Sequence, residues 1–244
     1  MRQMIIILLG LLLFSCKGPG AQQTPAVVAH KADTAVYKMP DSLKNRITDS
    51  IKTYVKSGFY STEETLVNVK QAFAPVSIDE QWVISHINRA YAQAFNAQVK
   101  WPQVVGFDKM AKAFDQLNQH HIIALHDEGI TRDAGQNDCK ELHSKLKKKG
   151  INTKGYCFYC KQDIKGVVKN KTLQITFGDF DNNQRKAIAI GKEVTKALKE
   201  QGFKVVWNNS AATPVELADF TWRKRFGNGN CSYDRAVKIL SGKR

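Results

Sequence analysis

Residues 155–178 read GYCFYCKQDIKGVVKNKTLQITFG, and their pattern decides the fold. GYCFY and TLQITFG are short, aromatic or β-branched runs, the composition of strands. Between them QDIKGVVKN reads as a short helix, with Gln162 and Asp163 at its start, where a carboxylate suits the helix dipole. A strand, a helix and a strand therefore follow one another within 24 residues.

The alternation extends in both directions. Upstream, IIALH (122–126) is an apolar strand, DEGITRDAGQND (127–138) is rich in turn formers, and CKELHSKLKKKG (139–150) is helical. Downstream come a long helix, NQRKAIAIGKEVTKALKEQG (183–202), a strand, FKVVWN, and an extended piece, VELADFTWRKRF (215–226). The order β-α-β-α-β-α-β-β predicts an α/β fold, a mixed sheet covered by helices.

A helical region over 41–121 precedes the sheet. Leu43, Ile47, Ile51, Tyr54 and Val55 share one helical face that Gly58 ends. STEETLVNVKQAFAP opens with a serine cap and acidic first-turn residues and stops at Pro75. Trp82, Ile84, Ile87, Tyr91 and Phe95 repeat the spacing, as do Met110, Phe114 and Leu117. The expected organisation is a leader (1–15), a spacer (16–40), the helical region (41–121), the α/β region of the same domain (122–226) and a basic tail (227–244).

If GYCFY is a strand, Cys157 and Tyr159 face one side, and Tyr156, Phe158 and Cys160 the other. Residues three apart in a strand are about 10 Å apart, too far for the roughly 4.4–6.8 Å of a disulfide. A zinc knuckle needs a second ligand pair. Cys139 and His143, on neighbouring helical turns, are the nearest candidates to join Cys157 and Cys160, but no glycine-turned knuckle surrounds either pair. No metal and no cofactor are expected. The thiols read as inert core residues or as partners in disulfides elsewhere, Cys231 to Cys160 or Cys139 among them.

The N-terminus sets the compartment. Arg2, the apolar run MIIILLGLLLF and then SC describe an export signal, too short for a spanning helix of about 20 residues. LFSC has the form of a bacterial lipoprotein box, with cleavage before Cys16 and lipidation of its thiol. Loss of the leader removes only Arg2 from 37 basic residues, so a net charge of +15 becomes +14. Such a charge suits anionic lipid, an anionic envelope component or an acidic protein. Nucleic acid is not an expected partner of an exported, tethered chain.

The polar residues at strand ends are the candidate chemistry. His126 and Asp127, joined in sequence by Glu128 and Asp133, follow the first strand; Asp163 follows the second; Asp179 and Asp181 follow the third. In a parallel sheet these ends would share one rim, where a His–Asp pair supports general base catalysis. Asp127 and Asp133 also suit turn formation through side-chain-to-backbone bonds. No G-x-S-x-G, phosphate-loop or H-E-x-x-H motif is present, which counts against the common hydrolases, kinases and metalloproteases. Residues 140–171 hold ten lysines against Glu141 and Asp163. Lys147 and Lys148 stand there as candidates for an anionic surface, with Tyr156, Tyr159 and Gln162 as further binding candidates.

FDKMAKAFDQLNQHHIIALHDEGIT, GYCFYCKQD, LQITFGDFD and GFKVVWNNSAATPVEL together resemble a bacterial family of uncharacterised proteins, domain of unknown function 6891. The resemblance spans about residues 47–225 and implies one coherent domain without implying an activity. It marks Gly155, Tyr156, Phe158, Tyr159, Gln162 and Asp163, with His126, Asp127, Gly129 and Thr131. It also implies a histidine where this chain has Cys160, which weakens any metal site built on that thiol, and soluble relatives without an export signal.

The expected function is that of a membrane-tethered lipoprotein, facing outside the cytoplasm, that acts as a binding or interaction module. The alternative is an envelope enzyme, hydrolytic in type, using His126, Asp127, Asp163 and Asp179.

Overall fold

The computed structural model describes residues 38–227 and 229–242. The leader, Cys16 and the spacer through residue 37 lie outside them. Among the described residues no helix is long and apolar enough to cross a membrane.

Three helices come first: α1 (Asp41–Ser57), α2 (Thr62–Phe73) and α3 (Glu80–Gln98). Their apolar stripes meet in one core, where Leu43, Ile47, Ile51 and Val55 of α1 pack on Val69, Phe73, Val83 and Ile87. Ser61 and Glu64 form the reciprocal cap of α2, Glu64 N–H donating to Ser61 Oγ at 3.1 Å and Ser61 N–H to Glu64 Oε2 at 2.8 Å. Gly58 ends α1 with φ 74°, and a β-carbon there would lie 2.5 Å from the Lys224 carbonyl oxygen. Both the backbone angle and the close approach require glycine.

α4 (Gly106–Gln119) leads into β1 (Ile122–Leu125), and the order then runs α5 (Arg132–Lys147), β2 (Gly155–Phe158), α6 (Lys161–Asn170), β3 (Leu173–Gly178), α7 (Gln184–Glu200), β4 (Lys204–Val206) and β5 (Val215–Ala218). This is the alternation that the sequence predicts. The sheet order is β1-β2-β3-β5-β4. β1 and β2 are parallel; β2–β3, β3–β5 and β5–β4 are antiparallel.

The period of two in β2 sorts its side chains as expected. Cys157 and Tyr159 join the core under α4, α6 and α7, whereas Tyr156, Phe158 and Cys160 join a second core with Cys139, Leu142 and Leu146 of α5. Tyr156 sits opposite Gly178 in the register. A β-carbon on Gly178 would lie 2.5 Å from the Tyr156 hydroxyl oxygen, so the tyrosine fills the space that glycine leaves.

Two segments differ from the sequence reading. The stretch 127–138, read as turns, is half helix: α5 starts at Arg132, with Thr131 Oγ1 accepting from Ala134 N–H at 3.3 Å. Gly135 lies inside it because a β-carbon would meet the Phe158 ring at 2.3 Å. The stretch read as a basic tail folds back as α8 (Tyr233–Leu240), burying Ala236 and Leu240 in the second core. Arg235 also holds Asp115 of α4 through two nitrogens, at 2.7 and 3.0 Å.

Candidate functional site

The strand ends come first, because the sequence places its chemistry there. β1 and β2 run in parallel, so His126, Asp127, Gln162 and Asp163 do share a rim. Asp179 does not. β3 is antiparallel to β2, with Phe158 opposite Thr176 and Tyr156 opposite Gly178, so α6 leaves and re-enters at one rim and β3 ends at the other. A short crossover helix was open to either direction, and the assumption of parallel strands fails here.

Each predicted acid has a structural partner. Asp179 accepts backbone N–H groups from Asp181 and Asn183 and shapes the turn into α7. Asp163 is buried at the start of α6, where Oδ2 accepts the Cys160 N–H and S–H, each at 3.1 Å, and Oδ1 accepts from Arg132 Nη2 at 2.9 Å. Asp127, in the left-handed region at φ 53°, accepts from the Tyr60 hydroxyl at 2.6 Å through Oδ2. Its Oδ1 is buried without a hydrogen-bond partner among the described residues. Burial raises the Asp127 pKa to about 6, against the Tyr60 hydrogen bond and the charges of Lys161 and Lys224. Glu128 goes to about 7, through burial and then the neighbouring Asp138.

His126 stacks on Phe114 with ring centroids 4.4 Å apart and shares a 2.8 Å hydrogen bond with the Tyr159 hydroxyl through Nδ1. Burial, and then the Lys224 charge, lower its pKa to about 3. A neutral imidazole facing a buried phenol is part of the core. Asp127 points instead to Tyr60, so the two neighbours in sequence form no His–Asp pair; each is hydrogen-bonded to its own tyrosine.

Tyr156 and Tyr159 are buried among aromatic rings and offer no contact surface. Gln162 is exposed and lines a shallow depression of about 450 Å³ with Thr131, Arg132 and Asp163. Lys147 and Lys148 are exposed at the end of α5, where cations suit the helix dipole, and line none of the clefts described below.

The four metal candidates are not brought together. Cys157 lies in one core, and Cys139 and Cys160 in the other. His143 bonds Thr153 at 2.6 Å and stacks on Phe180. Among the described residues no group of three or more histidine, cysteine or acidic side chains could hold a metal ion. Cys139, Cys157, Cys160 and Cys231 form no disulfide with one another, so the alternative of a staple through Cys231 is not seen.

The site that sequence reasoning missed lies where the helical region meets the segment after β5. Trp222 Nε1 donates to the Ser57 carbonyl at 3.1 Å, and Lys224 Nζ to the Gly58 carbonyl at 2.7 Å. Lys224 is 4% exposed, its ammonium 4.6 Å from the Phe59 ring centroid, and burial lowers its pKa. These bonds fix residues 221–226 across the end of α1 and leave a groove on either side.

One groove, of about 410 Å³, runs between α1, α3 and α6. Its wall is apolar, with Ala94 and Ala97 of α3, Val168 of α6, Trp101 and Trp222. Its charged lining among the described residues consists of Lys52, Lys56, Lys171, Arg223 and the buried Lys224, with no carboxylate. Lys52 lies 3.8 Å from Asp49, which is outside the groove. The other groove, of about 660 Å³, is lined by Tyr60, Phe95, Phe226, Cys231 and one acid, Glu64. The cations of the first groove come from three segments far apart in sequence, and only the general basic excess hints at them.

Comparison with curated proteins and with solved structures finds no match in either set. A family profile, described as Domain of unknown function (DUF6891), matches residues 40–226. That match begins at the foot of α1 and ends with the segment between the two grooves, so α1 to α7 and all five strands of the described residues lie within it; the chain belongs to the DUF6891 family.

Proposed function

We propose that the protein is a lipid-tethered binding module of the cell envelope, anchored through Cys16, whose site is the cation-lined groove over Trp222. The observation that carries the reading is the pairing of an apolar wall with a lining that holds Lys52, Lys56, Lys171 and Arg223 and, among the described residues, no acid. A concave surface of about 410 Å³ falls within the roughly 300–1,000 Å³ of small-molecule pockets. Cations gathered beside an apolar wall, with only Asp49 near one of them, favour an anionic ligand. The acids that an enzyme would use are held in caps and turns instead.

The test has two parts. Radiolabelled palmitate should label the full-length chain in cells and fail to label Cys16→Ser. An anionic aromatic dye, anilinonaphthalene sulfonate, should bind the folded chain saturably at one site and lose that site in Ala97→Phe, an exposed position of the groove wall. Absence of saturable dye binding would remove the binding reading.

A second reading rests on Asp127 alone. A carboxyl with a raised pKa, an unpartnered buried oxygen and a left-handed backbone has features of a strained functional acid. This is the enzyme alternative reduced to one residue. A panel of ester, amide and phosphoester substrates hydrolysed by the chain, and not by Asp127→Asn, would establish it.

A further inference from the structure

We infer that the groove over Trp222 takes a single-chain anionic lipid, one acyl chain ending in an acidic head group. The inference rests on the proposed binding reading and narrows it to one ligand class. The groove supplies the two chemistries of such a molecule side by side. Ala94, Ala97, Val168 and the rings of Trp101 and Trp222 offer apolar surface, beside the polar groups of Gln93, Gln98 and Thr221. The exposed amino groups of Lys52, Lys56 and Lys171 stand at its edge. Arg223 lies over Trp101, 5.9 Å from the ring, which adds a guanidinium group beside the same wall, while Arg225 on that ring is held by Asp108 and the Pro102 carbonyl.

The surface next to the groove points to a membrane as the source. Trp101 belongs to the loop between α3 and α4, and that loop also carries Val99, 86% exposed, and Val104, 57% exposed. Exposed valines around a tryptophan, with Lys100 and two arginines beside them, have the composition of a segment that rests in a lipid headgroup layer. A water-soluble anion would need the cations and would leave these valines without a role.

The experiment uses the mature chain from residue 16 with Cys16→Ser, and its variants Ala97→Phe and Lys56→Glu/Arg223→Glu. All three positions are surface-accessible, and unchanged urea unfolding would show that each variant folds. The probe is dansyl-undecanoate, displaced by laurate, dodecyltrimethylammonium or inorganic phosphate. The expected result is one saturable site that laurate empties. Dodecyltrimethylammonium should be about tenfold weaker or worse, phosphate should be without effect, and both variants should lose about tenfold or more in affinity. Equal displacement by the cationic amphiphile, displacement by phosphate, or full affinity in Ala97→Phe would overturn the inference. Saturable binding of anilinonaphthalene sulfonate without binding of the acyl probe would also overturn it, while leaving the broader binding reading in place. Failure of both probes would remove both.

Discussion

The indole nitrogen of Trp222 donates to the carbonyl of Ser57 at 3.1 Å, across 165 residues of sequence. That bond, with the Lys224 ammonium on the Gly58 carbonyl, ties the segment after β5 to the last turn of α1. The last carbonyls of a helix lack intrahelical partners, and a buried cation there meets both the orphan oxygens and the negative end of the dipole. The helical region, the sheet and the groove depend on this junction together.

Replacing Lys224 with alanine should therefore cost stability well beyond a surface lysine. The change removes the Gly58 bond and leaves a gap against Phe59 and Phe107, for about 2–4 kcal/mol in urea unfolding. A cost below about 0.5 kcal/mol, typical of surface substitutions, would contradict the junction.

Gly178 and Tyr156 should be energetically coupled. The three atoms nearest to a β-carbon on Gly178 all belong to Tyr156, the closest at 2.5 Å. Gly178→Ala alone should cost about 1–3 kcal/mol through overpacking. In the Tyr156→Val background the same change should cost clearly less, giving a non-zero coupling in a double-mutant cycle. Additive costs would show that the tyrosine does not set the glycine.

Acid stability should split between two neighbouring residues. His126 accepts a proton near 6.5 in the unfolded chain and only at about 3 in the fold, so its contribution is complete above 6.5 and lost as pH falls. Asp127 has the opposite sign. It holds its proton up to about 6 in the fold, against 3.8 unfolded, so its contribution is complete below 3.8 and lost as pH rises through 6. Urea midpoints between pH 4 and 7 should show a shallower acid loss in His126→Asn and a steeper one in Asp127→Asn. Parallel profiles for the two variants and the parent chain would contradict these placements.

Thiol reactivity should separate the cysteines. Cys139, Cys157 and Cys160 are buried, and burial raises all three pKa values, that of Cys160 to about 11. In a Cys16→Ser chain a thiol reagent should modify Cys231 alone before unfolding and all four cysteines after it. Fewer than four reactive thiols in unreduced denaturant would show a disulfide.

Much of this fold is written in local pattern. The strand–helix–strand reading of 155–178 succeeds because GYCFY packs on both faces and LQITFG alternates buried Leu173, Ile175 and Phe177 with half-buried Gln174 and Thr176, so period and composition agree. The cap of α2 is legible in Ser61 and Glu64 for the same reason. The start of α5 is less so, since Gly135 looks like a helix breaker until Phe158 is seen against it. The ladder direction of β3 is not local, and with it went the placement of Asp179. The fold of 233–240 was masked by charge, although Ala236 and Leu240 have helical spacing. The groove was the least legible feature, because Lys52, Lys171 and Arg223 meet only through the Trp222 and Lys224 bonds.

The proposed function requires an anionic ligand in the groove over Trp222, and the four tryptophans of the chain report its place directly. Trp101 and Trp222 line the groove, whereas Trp82 lies in α3 outside it and Trp207 lies after β4, against Phe177. In two-dimensional NMR of the indole N–H groups, adding laurate should shift the Trp101 and Trp222 signals and leave Trp82 and Trp207 in place. Shifts confined to Trp82 or Trp207, or no shift at saturating ligand, would contradict it.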